Sequence, residues 1–432
     1  TPEGQVVTID RSQGVKQIRD RSGNTVTFGP TGITHSAGKS IAFVRDAQGR
    51  ITSLTDPNGY TQSYAYDVNG DLASHTDGEG QRTGFLYNYN HGLIEIRDPR
   101  GVRPLRNEYD DAGRLIRTID AYGKAITYTH DLGANREEIT DRLGNQTIHV
   151  YDDQGNVTQT ADPLGGVTSR SYDARGNTLS ETDPLGRTRS YTYDAQDNRL
   201  SETDPLGQVT SYTYNSNRQV LTITDALGRT TSNAYDVAGN LVRTTDPAGK
   251  VTNYSYDSRG LQTSRTDPLG QVTTYAYDAS GNLSSETDPL GRVTSYTYDA
   301  NGNRLTQTTT RTTDSGTETL LTRFAYDRDN RLTDTTHADG SVTRTTYNAI
   351  GKQSVTTDAL GRDTRYDYDD MGRISRTTFP DGSSESSTFD AEGRRTGSTD
   401  RAGRTTTSTY DALGRLIETI AADGSRTTTT YD

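Results

Sequence analysis

Apolar and polar positions alternate along this chain in short runs that are separated by turn-forming residues. The runs Leu283–Thr287 and Arg292–Tyr298 are typical, since both are rich in Thr, Val, Ser or Tyr. In the second run Tyr296 and Tyr298 fall on one face of a strand and Thr297 on the other, because successive side chains point to opposite sides. No stretch carries a sustained 3.6-residue apolar period. The pattern therefore predicts strands and almost no helix.

Two turn motifs separate these strands. Asp288-Pro289-Leu290-Gly291 has Asp, Pro and Gly where a type I turn prefers them, and Asp278–Asn282 carries Gly and Asn where a positive φ is expected. Loops of this length join antiparallel neighbours. The sequence thus predicts a continuous antiparallel β-meander.

The same unit recurs every 21 residues, and its most regular member is an aromatic residue followed by Asp or Asn. His130 occupies one position of the grid, Arg45 marks its start, and a one-residue slip falls near Tyr87–Asn90. This gives about 19 registers. The aromatic residues that we take as the structural signature of the repeat are Tyr66, Tyr109, Tyr151, Tyr172, Tyr193, Tyr214, Tyr235, Tyr256, Tyr277, Tyr298, Tyr326, Tyr347, Tyr368, Phe389, Tyr410 and Tyr431.

The repeat count also constrains the form of the sheet. About 38 strands at ~4.8 Å would make a flat ribbon roughly 180 Å long, and twisted sheets of that size curl. We therefore expect an all-β fold in which the meander coils into a spiral or barrel-like hollow shell. Tyrosine and leucine side chains should stack in ladders along it, with the tyrosines substantially buried.

The grid is interrupted between Tyr298 and Tyr326, which are 28 residues apart. The insertion is rich in Thr on both sides of Asp314-Ser315-Gly316, a suitable hairpin tip. We predict an extended hairpin over residues 305–325 that leaves the register of its neighbours intact.

Composition narrows the function classes. Hydrophobic residues make up 29 %, too few for several thick cores, and there is no cysteine for disulfides or thiolate metal sites. The net charge of −12 disfavours nucleic acid as a partner, and no run is long and apolar enough to insert into a membrane. Arginine far outnumbers lysine, which suits bridging of neighbouring carboxylates; genome base composition is the alternative explanation.

Candidate chemical motifs are weak. Gly32–Ser40 looks like a phosphate loop, but its glycines have the wrong spacing, and an irregular surface loop is the preferred interpretation. Asp67, Asn69 and Asp71 have the spacing of a calcium loop, although the repeat-wide turn explains them better. The six histidines form no metal-binding pair. We predict no catalytic residue, no metal site and no cofactor, and therefore no enzyme.

The motif Tyr-Asp-x-x-Gly-Asn/Arg-Leu, followed by Thr-Asp-Pro-Leu-Gly-Arg and Thr-x-Tyr, closely resembles the YD-repeat, or Rhs, family. It stands almost unaltered at 172–192, 193–213, 256–276 and 277–297. The family includes bacterial Rhs polymorphic toxins, cocoon-forming subunits of Tc toxin complexes and animal teneurins. The resemblance implies a spiralling β-shell that in toxins encloses a C-terminal effector domain.

This resemblance sets the expected organisation. It covers residues 45–432, with residues 1–44 as an irregular leading segment or divergent repeats, and the whole is expected to be a fragment of a larger protein. The favoured function is the structural wall of a shell around a C-terminal toxin or effector in a secreted or cell-surface bacterial protein. Secretion machinery, toxin-complex subunits and glycan are further candidate partners. The alternatives are an extracellular or cell-wall adhesion module that binds glycan or a partner protein, and a passive repeat spacer.

Overall fold

The computed structural model describes residues 4–12, 14–313 and 316–431, and within these ranges it contains 41 β-strands and no helix. The strands belong to one open sheet, and the pairings recorded within each unit join antiparallel strands that follow one another in sequence. The predicted all-β antiparallel meander is confirmed. Two compact units divide the chain, Thr1–Ser63 with Arg189–Ser341 and Tyr64–Thr188 with Val342–Asp432.

Most strands of the first unit are five or six residues long, and the two lengths alternate along the chain. They are β1 Val6–Asp10, β2 Gly14–Arg19, β3 Thr25–Gly29, β4 Gly32–His35, β5 Ser40–Arg45, β6 Ile51–Thr55 and the start of β7 Thr61–Tyr66, then β19 Thr188–Tyr193, β20 Arg199–Thr203, β21 Val209–Tyr214, β22 Val220–Thr224, β23 Thr230–Tyr235, β24 Leu241–Thr245, β25 Val251–Tyr256, β26 Gln262–Thr266, β27 Val272–Tyr277, β28 Leu283–Thr287, β29 Val293–Tyr298, β30 Arg304–Thr313, β31 Gly316–Tyr326 and β32 Leu332–Thr336.

The second unit repeats the same alternation. Its strands are β8 Leu72–Thr76, β9 Arg82–Tyr87, β10 Leu93–Arg97, β11 Leu105–Tyr109, β12 Leu115–Ile119, β13 Ala125–Asp131, β14 Arg136–Thr140, β15 Gln146–Tyr151, β16 Val157–Ala161, β17 Val167–Tyr172 and β18 Thr178–Thr182, then β33 Val342–Tyr347, β34 Gln353–Thr357, β35 Asp363–Tyr368, β36 Ile374–Thr378, β37 Ser384–Phe389, β38 Arg395–Thr399, β39 Thr405–Tyr410, β40 Leu416–Ile420 and β41 Arg426–Thr428.

Each regular hairpin whose turn follows a signature aromatic residue contains a β-bulge. In the pair β27–β28 the register runs Ala276↔Ser285 and then Tyr277↔Leu283, so one residue of β28 is left over. The following pair β28–β29 has no such shift. Bulges increase the local twist of a strand pair, and this one recurs once in every regular repeat.

The two faces of the sheet differ as the alternation predicts. In β29 Tyr296 and Tyr298 are half-buried and Val293 and Thr297 are exposed. The exposed face carries cross-strand hydroxyl pairs, for example Thr213 with Thr222 at 2.6 Å. Among the described residues the only buried apolar side chain is Ile119, which is 8 % exposed.

The tyrosines of the strands lie on the covered face of the sheet, as expected, but none of those described is fully buried. Tyr193, Tyr256 and Tyr298 are half-buried. On one face of a sheet a ring loses area mainly to the cross-strand side chains at its flanks, and this covers it less completely than a packed core does.

The extended hairpin is present in the structure. β30 and β31 are ten and eleven residues long and stay paired from Thr306↔Arg323 to Thr313↔Gly316. The predicted tip residues Asp314 and Ser315 lie outside the described residues. Tyr326 then pairs with Leu332 through the usual bulge, so the register resumes.

The segment Gly32–Ser40, which the sequence suggested as an irregular loop, is instead part of the sheet. Its first four residues form β4, the turn that follows closes with a hydrogen bond from His35 N to Lys39 O, and Ser40 begins β5. The Asp67–Asp71 segment is one of the repeat-wide turns, as expected, with Asp67 accepting the backbone N–H groups of Asn69 and Asp71.

Candidate functional site

The signature aromatics lie at the ends of strands. Each of them from Tyr66 to Tyr410 is the last residue of its strand, while Tyr431 follows the end of β41. Each aromatic thus directly precedes the hairpin turn that starts with Asp or Asn. We call this hairpin turn the Tyr-Asp turn, and the turn built on Asp-Pro-Leu-Gly the Asp-Pro turn. Because the strands are antiparallel, the two kinds of turn lie along opposite rims of the sheet.

The tyrosine hydroxyls extend the ladder of backbone hydrogen bonds. Tyr277 Oη donates to the carbonyl oxygen of Gln262, the first residue of the preceding strand, at 2.9 Å. The ladder between these two strands runs only as far as Ser264↔Thr274. The same bond is made by Tyr109, Tyr172, Tyr214, Tyr235, Tyr256, Tyr326, Tyr368, Tyr410 and Tyr431.

At two positions of the 21-residue grid the hydrogen bond is different. His130 places Nε2 2.9 Å from the carbonyl oxygen of Leu115, so the imidazole takes the place of the phenol. Tyr151 donates instead to Glu137 Oε2 at 3.0 Å. Burial, followed by this hydrogen bond, raises the pKa of Tyr151. The role of the hydroxyl was missed in the sequence, although a grid that uses Tyr far more often than Phe signals it.

A carboxylate clamps each regular turn. Asp288 Oδ1 accepts the backbone N–H groups of Leu290 and Arg292 at 2.9 Å, and the Arg292 guanidinium pairs with Oδ2 at 2.6 Å. The carbonyl oxygen of Asp288 accepts the N–H of Gly291, whose φ of 78° suits glycine. Tyr-Asp turns have the same geometry, with Asn282 in the place of the arginine beside Asp278.

These clamps lower the pKa of several turn aspartates. Hydrogen bonds from the side chain and backbone of Asn177 lower the pKa of Asp173 to about 2. Hydrogen bonds from the side chain and backbone of the paired arginine lower the pKa of Asp225, Asp358 and Asp400. The turns are therefore built around ionised carboxylates.

In the first unit Asp-Pro turns contact Tyr-Asp turns that are about 240 residues away in sequence. Asn58 N donates to Asn301 Oδ1 at 3.2 Å, Asn58 Nδ2 to Asp299 Oδ2 at 2.8 Å, and Ala300 N to Asn58 Oδ1 at 3.1 Å. Asn301 Nδ2 in turn donates to Asp56 Oδ2 at 2.6 Å. We call this contact of residues 20–60 with residues 257–331 the first seam.

The first seam continues on both sides of Asn58. Asn24 Nδ2 donates to the carbonyl oxygen of Arg259 at 2.9 Å, and Lys39 Nζ to Asn282 Oδ1 at 3.1 Å. Gly260 has a φ of 78°, which favours glycine, and a Cβ on it would lie 2.5 Å from Ser22 Oγ and would displace that hydroxyl. Burial pushes the pKa of Asp299 up, but hydrogen bonds from Asn303 and Asn58 outweigh it and hold that pKa below its usual value.

The second unit has an equivalent contact, the second seam, between residues 98–142 and residues 369–392. The Arg100 guanidinium donates to the carbonyl oxygens of Asp369 and Asp370 at 3.0 and 2.9 Å. Asp370 N donates to Tyr122 Oη at 3.2 Å. The Arg373 guanidinium lies 6.0 Å from the centre of the Tyr122 ring, the outer limit of a cation–π contact.

An ionic group closes the second seam. Arg142 N donates to Glu392 Oε1 at 2.7 Å, and Arg142 Nη1 lies 3.5 Å from Glu392 Oε2. Arg142 Nε lies 3.3 Å from Asp120 Oδ2 as an ion pair without an aligned hydrogen bond. Asp120 is only 3 % exposed, which makes it the most buried acidic residue among those described.

Three of the seam residues share a position in the turn. Asn58, Arg100 and Tyr122 are each the third residue of an Asp-Pro turn, where the regular repeat has leucine. Their partners Ala300 and Asp370 are each the second residue of a Tyr-Asp turn. These residues were not predicted as functional, but their departure from leucine in an otherwise regular motif is a signal in the sequence.

Among the described residues there is neither a metal-binding cluster nor a membrane-spanning helix. No group of three or more His, Asp or Glu side chains in these residues is arranged to hold a metal ion. The same residues contain no helix long and apolar enough to cross a membrane.

Comparison with known families agrees with the repeat geometry. A family model described as Teneurin YD-shell matches residues 123–313. A model described as RHS Repeat matches residues 45–82, 66–103, 326–362, 347–384 and 389–427. The chain belongs to the YD-repeat, or Rhs, family. No curated protein matches it.

Several solved structures share the fold. The crystal structure of TcdB2-TccC3-TEV is 15 % identical with a TM-score of 0.62 over 96 % of this chain and 27 % of that chain. The crystal structure of TcdB2-TccC3-Cdc42 is also 15 % identical, and its TM-score is 0.62 over 99 % of this chain and 28 % of that chain. The crystal structure of TcdB2-TccC3 without its hypervariable C-terminal region is 14 % identical, and its TM-score is 0.54 over 98 % of this chain and 35 % of that chain. This chain thus spans about a third or less of those proteins, and the likeness shows the fold.

Proposed function

We propose that this chain is a structural part of the wall of a YD-repeat shell that encloses a C-terminal toxin or effector domain in a secreted or cell-surface bacterial protein. The observation that carries the proposal is the fold match at a TM-score of 0.62 over nearly the whole chain to TcdB2-TccC3 fusions. The partners in this proposal are the enclosed domain and other subunits of a toxin complex.

The organisation of the sheet supports a wall rather than a catalyst. The recurring side chains of each repeat bind backbone groups. Tyrosine hydroxyls donate to carbonyl oxygens, and aspartates accept the N–H groups of the turns. Groups committed in this way hold a sheet together. The seams add contacts between turns that are far apart in sequence, which is what a wall made from one long strip requires.

The signature aromatics have a structural role in this proposal. Their hydroxyls donate to carbonyl oxygens at most positions, and the rings of Tyr256 and Tyr277 are half-buried, so these side chains are engaged within the sheet. We therefore propose the role in the shell wall as the function of this chain, with glycan adhesion as the second candidate.

Protease protection tests the proposal. A folded, protease-sensitive reporter domain would be joined after residue 432 and exposed to trypsin, with the separate reporter as one control and a reporter joined by a long flexible linker as the other. We expect the directly joined reporter to be cleaved much more slowly than both controls. Cleavage at the same rate in all three samples would contradict enclosure by this chain.

A further inference from the structure

Asparagine followed by glycine occurs three times in the chain, at Asn58-Gly59, Asn69-Gly70 and Asn301-Gly302. Such an asparagine is prone to lose ammonia, because glycine has no Cβ to shield its backbone nitrogen from the neighbouring side chain. All three pairs occupy the third and fourth positions of a turn, and each glycine N–H donates to the carbonyl oxygen of the first residue at 3.0–3.2 Å. The three sites therefore share their dipeptide and their backbone hydrogen bond.

The surroundings of the three side chains differ. Asn69 is exposed, and its side-chain amide has no hydrogen-bond partner among the described residues. Asn58 and Asn301 are half-buried in the first seam and face each other, since Asn58 N donates to Asn301 Oδ1 at 3.2 Å. The chain thus contains two Asn-Gly pairs inside one contact and a third, free pair for comparison.

Each seam amide faces an aspartate that accepts its N–H group. Asn58 Nδ2 donates to Asp299 Oδ2 at 2.8 Å, while Asn58 Oδ1 accepts the N–H of Ala300 at 3.1 Å. Asn301 Nδ2 donates to Asp56 Oδ2 at 2.6 Å. Loss of ammonia replaces the amide nitrogen with a carboxylate oxygen, which cannot donate and which repels the aspartate opposite it. Deamidation of either residue therefore breaks the contact.

The reaction needs only water as a co-reactant. The nitrogen of Gly59 attacks Cγ of Asn58, and the new C–N bond closes a cyclic imide. The side-chain nitrogen leaves as ammonia with the proton of the glycine N–H. Water then adds to one carbonyl group of the imide and opens it to aspartate or isoaspartate. For this attack the side chain must turn onto the glycine nitrogen, and the hydrogen bonds of the seam hold it in another position.

We propose that Asn58 and Asn301 are deamidation sites that the first seam protects, and that their deamidation prevents the seam from closing again. A local opening of the seam frees both side chains, and reaction at one site removes the contact that protects the other. Asn301 keeps one partner on its own side of the seam, because its Nδ2 also donates to Asn330 Oδ1 at 2.7 Å. Asn58 should therefore be the more sensitive of the two.

Peptide mapping by mass spectrometry during incubation at mildly alkaline pH tests the proposal. The rate of deamidation at each site in folded protein is compared with the rate at the same site in guanidinium chloride, which corrects for the flanking sequence. We expect Asn58 and Asn301 to be protected at least about tenfold more strongly than Asn69, because several hydrogen bonds must break before either side chain turns. Equal protection at the three sites would overturn the proposal.

The variant Ala300→Pro opens the seam and leaves all three Asn-Gly pairs in place. It removes the N–H that Asn58 Oδ1 accepts, and proline suits this position because it stands there in the Asp-Pro turns. Loss of one hydrogen bond should speed deamidation of Asn58 about fivefold and that of Asn301 by less. The matched control Ala195→Pro makes the same change in an exposed Tyr-Asp turn outside the seam and should leave every rate unchanged.

The product of the reaction supplies a second variant. Asn58→Asp should speed deamidation of Asn301, whereas Asn69→Asp, the same change at the exposed site, should not. An unchanged rate at Asn301 in Asn58→Asp would overturn the proposal. So would an unchanged rate at Asn58 in Ala300→Pro protein that keeps the wild-type circular dichroism spectrum. If Ala300→Pro does not fold, Asn58→Asp decides.

Discussion

Two Asp-Pro turns of the first unit, residues 56–60 and 288–292, have the same backbone and different surroundings. In both, the first aspartate accepts the N–H of the fifth residue, at 2.8 and 2.9 Å, and the glycine has a positive φ. The third residue differs: Asn58 makes three hydrogen bonds to residues 299–301, while Leu290 is 79 % exposed. In these two turns the first, fourth and fifth positions build the same backbone, and the third residue distinguishes the contacts that the turns make.

Acid should have the largest effect, because it removes the clamp that both kinds of turn share. The folded state lowers the pKa of the turn aspartates Asp225 and Asp358 below 3.8, and that of Asp173 to about 2. A lowered pKa contributes stability that is present above 3.8 and is lost as the pH falls through the folded value. We expect the urea midpoint to hold near neutral pH and to collapse between about pH 4 and 2. An unchanged midpoint at pH 2.5 would show that the clamps contribute little.

Breaking the ionic group of the second seam should be the most damaging single substitution. Arg142→Ala leaves buried Asp120 without its cation, and breaking a buried pair in this way costs about 3 kcal/mol of unfolding free energy. The control Arg292→Ala removes a clamp arginine whose side chain is 69 % exposed, and exposed pairs contribute less than about 1 kcal/mol. Urea unfolding of both variants measures the difference. Equal losses would mean that the seam adds nothing to an ordinary turn.

Exchanging the third residue between the two turns sharpens the comparison. Asn58→Leu removes the side-chain amide of the first seam and leaves Asp299 and Ala300 N without that partner, which should cost about 2 kcal/mol. Leu290→Asn should change the stability of the monomer by less than about 0.5 kcal/mol, because the side chain is exposed. Thermal melts at low protein concentration compare the two. A larger loss of stability in Leu290→Asn than in Asn58→Leu would contradict this account.

The tyrosine hydroxyl is expected to contribute less. Tyr277→Phe removes the bond to the Gln262 carbonyl oxygen and keeps the ring, so we expect a loss of about 1 kcal/mol. Phe389→Tyr at the one phenylalanine of the grid is the reciprocal variant and should leave stability equal or slightly higher. Hydrogen exchange of the amides around residue 262 would locate the change.

The smallest effect should come from the extended hairpin. Deleting residues 310–316 shortens β30 and β31 to the length of their neighbours and restores the 21-residue period. We expect an unchanged circular dichroism spectrum and a melting temperature within a few degrees of wild type. A loss of folding would make the hairpin an integral part of the sheet.

The sequence allowed the repeat to be predicted almost completely, because every element of it is local. The alternation around Tyr296 fixes the face of the strand, and Asp288 and Gly291 fix the turn. The alternation also places the tyrosines on the covered face, but a period of two does not show how deeply that face is covered.

The seams lie beyond sequence reasoning of this kind. Asn58 and Asn301 are 243 residues apart, and their contact depends on the accumulated twist of many strands. Single turns do not determine that twist. The loss of leucine at Asn58, Arg100 and Tyr122 indicates special turns, but it does not say which turns they meet.

Cross-linking across the first seam tests the central claim most directly. The chain has no cysteine, so Asn58→Cys with Asn301→Cys introduces one defined pair. A short thiol cross-linker should join the two within one molecule and change its migration on a denaturing gel. The control Leu290→Cys with Asn301→Cys places the thiols at opposite ends of β29, roughly 20 Å apart, and should not react. Efficient cross-linking of the first pair alone is the predicted result. Failure of the first pair in folded protein, or equal reaction of both pairs, would contradict the existence of the seam.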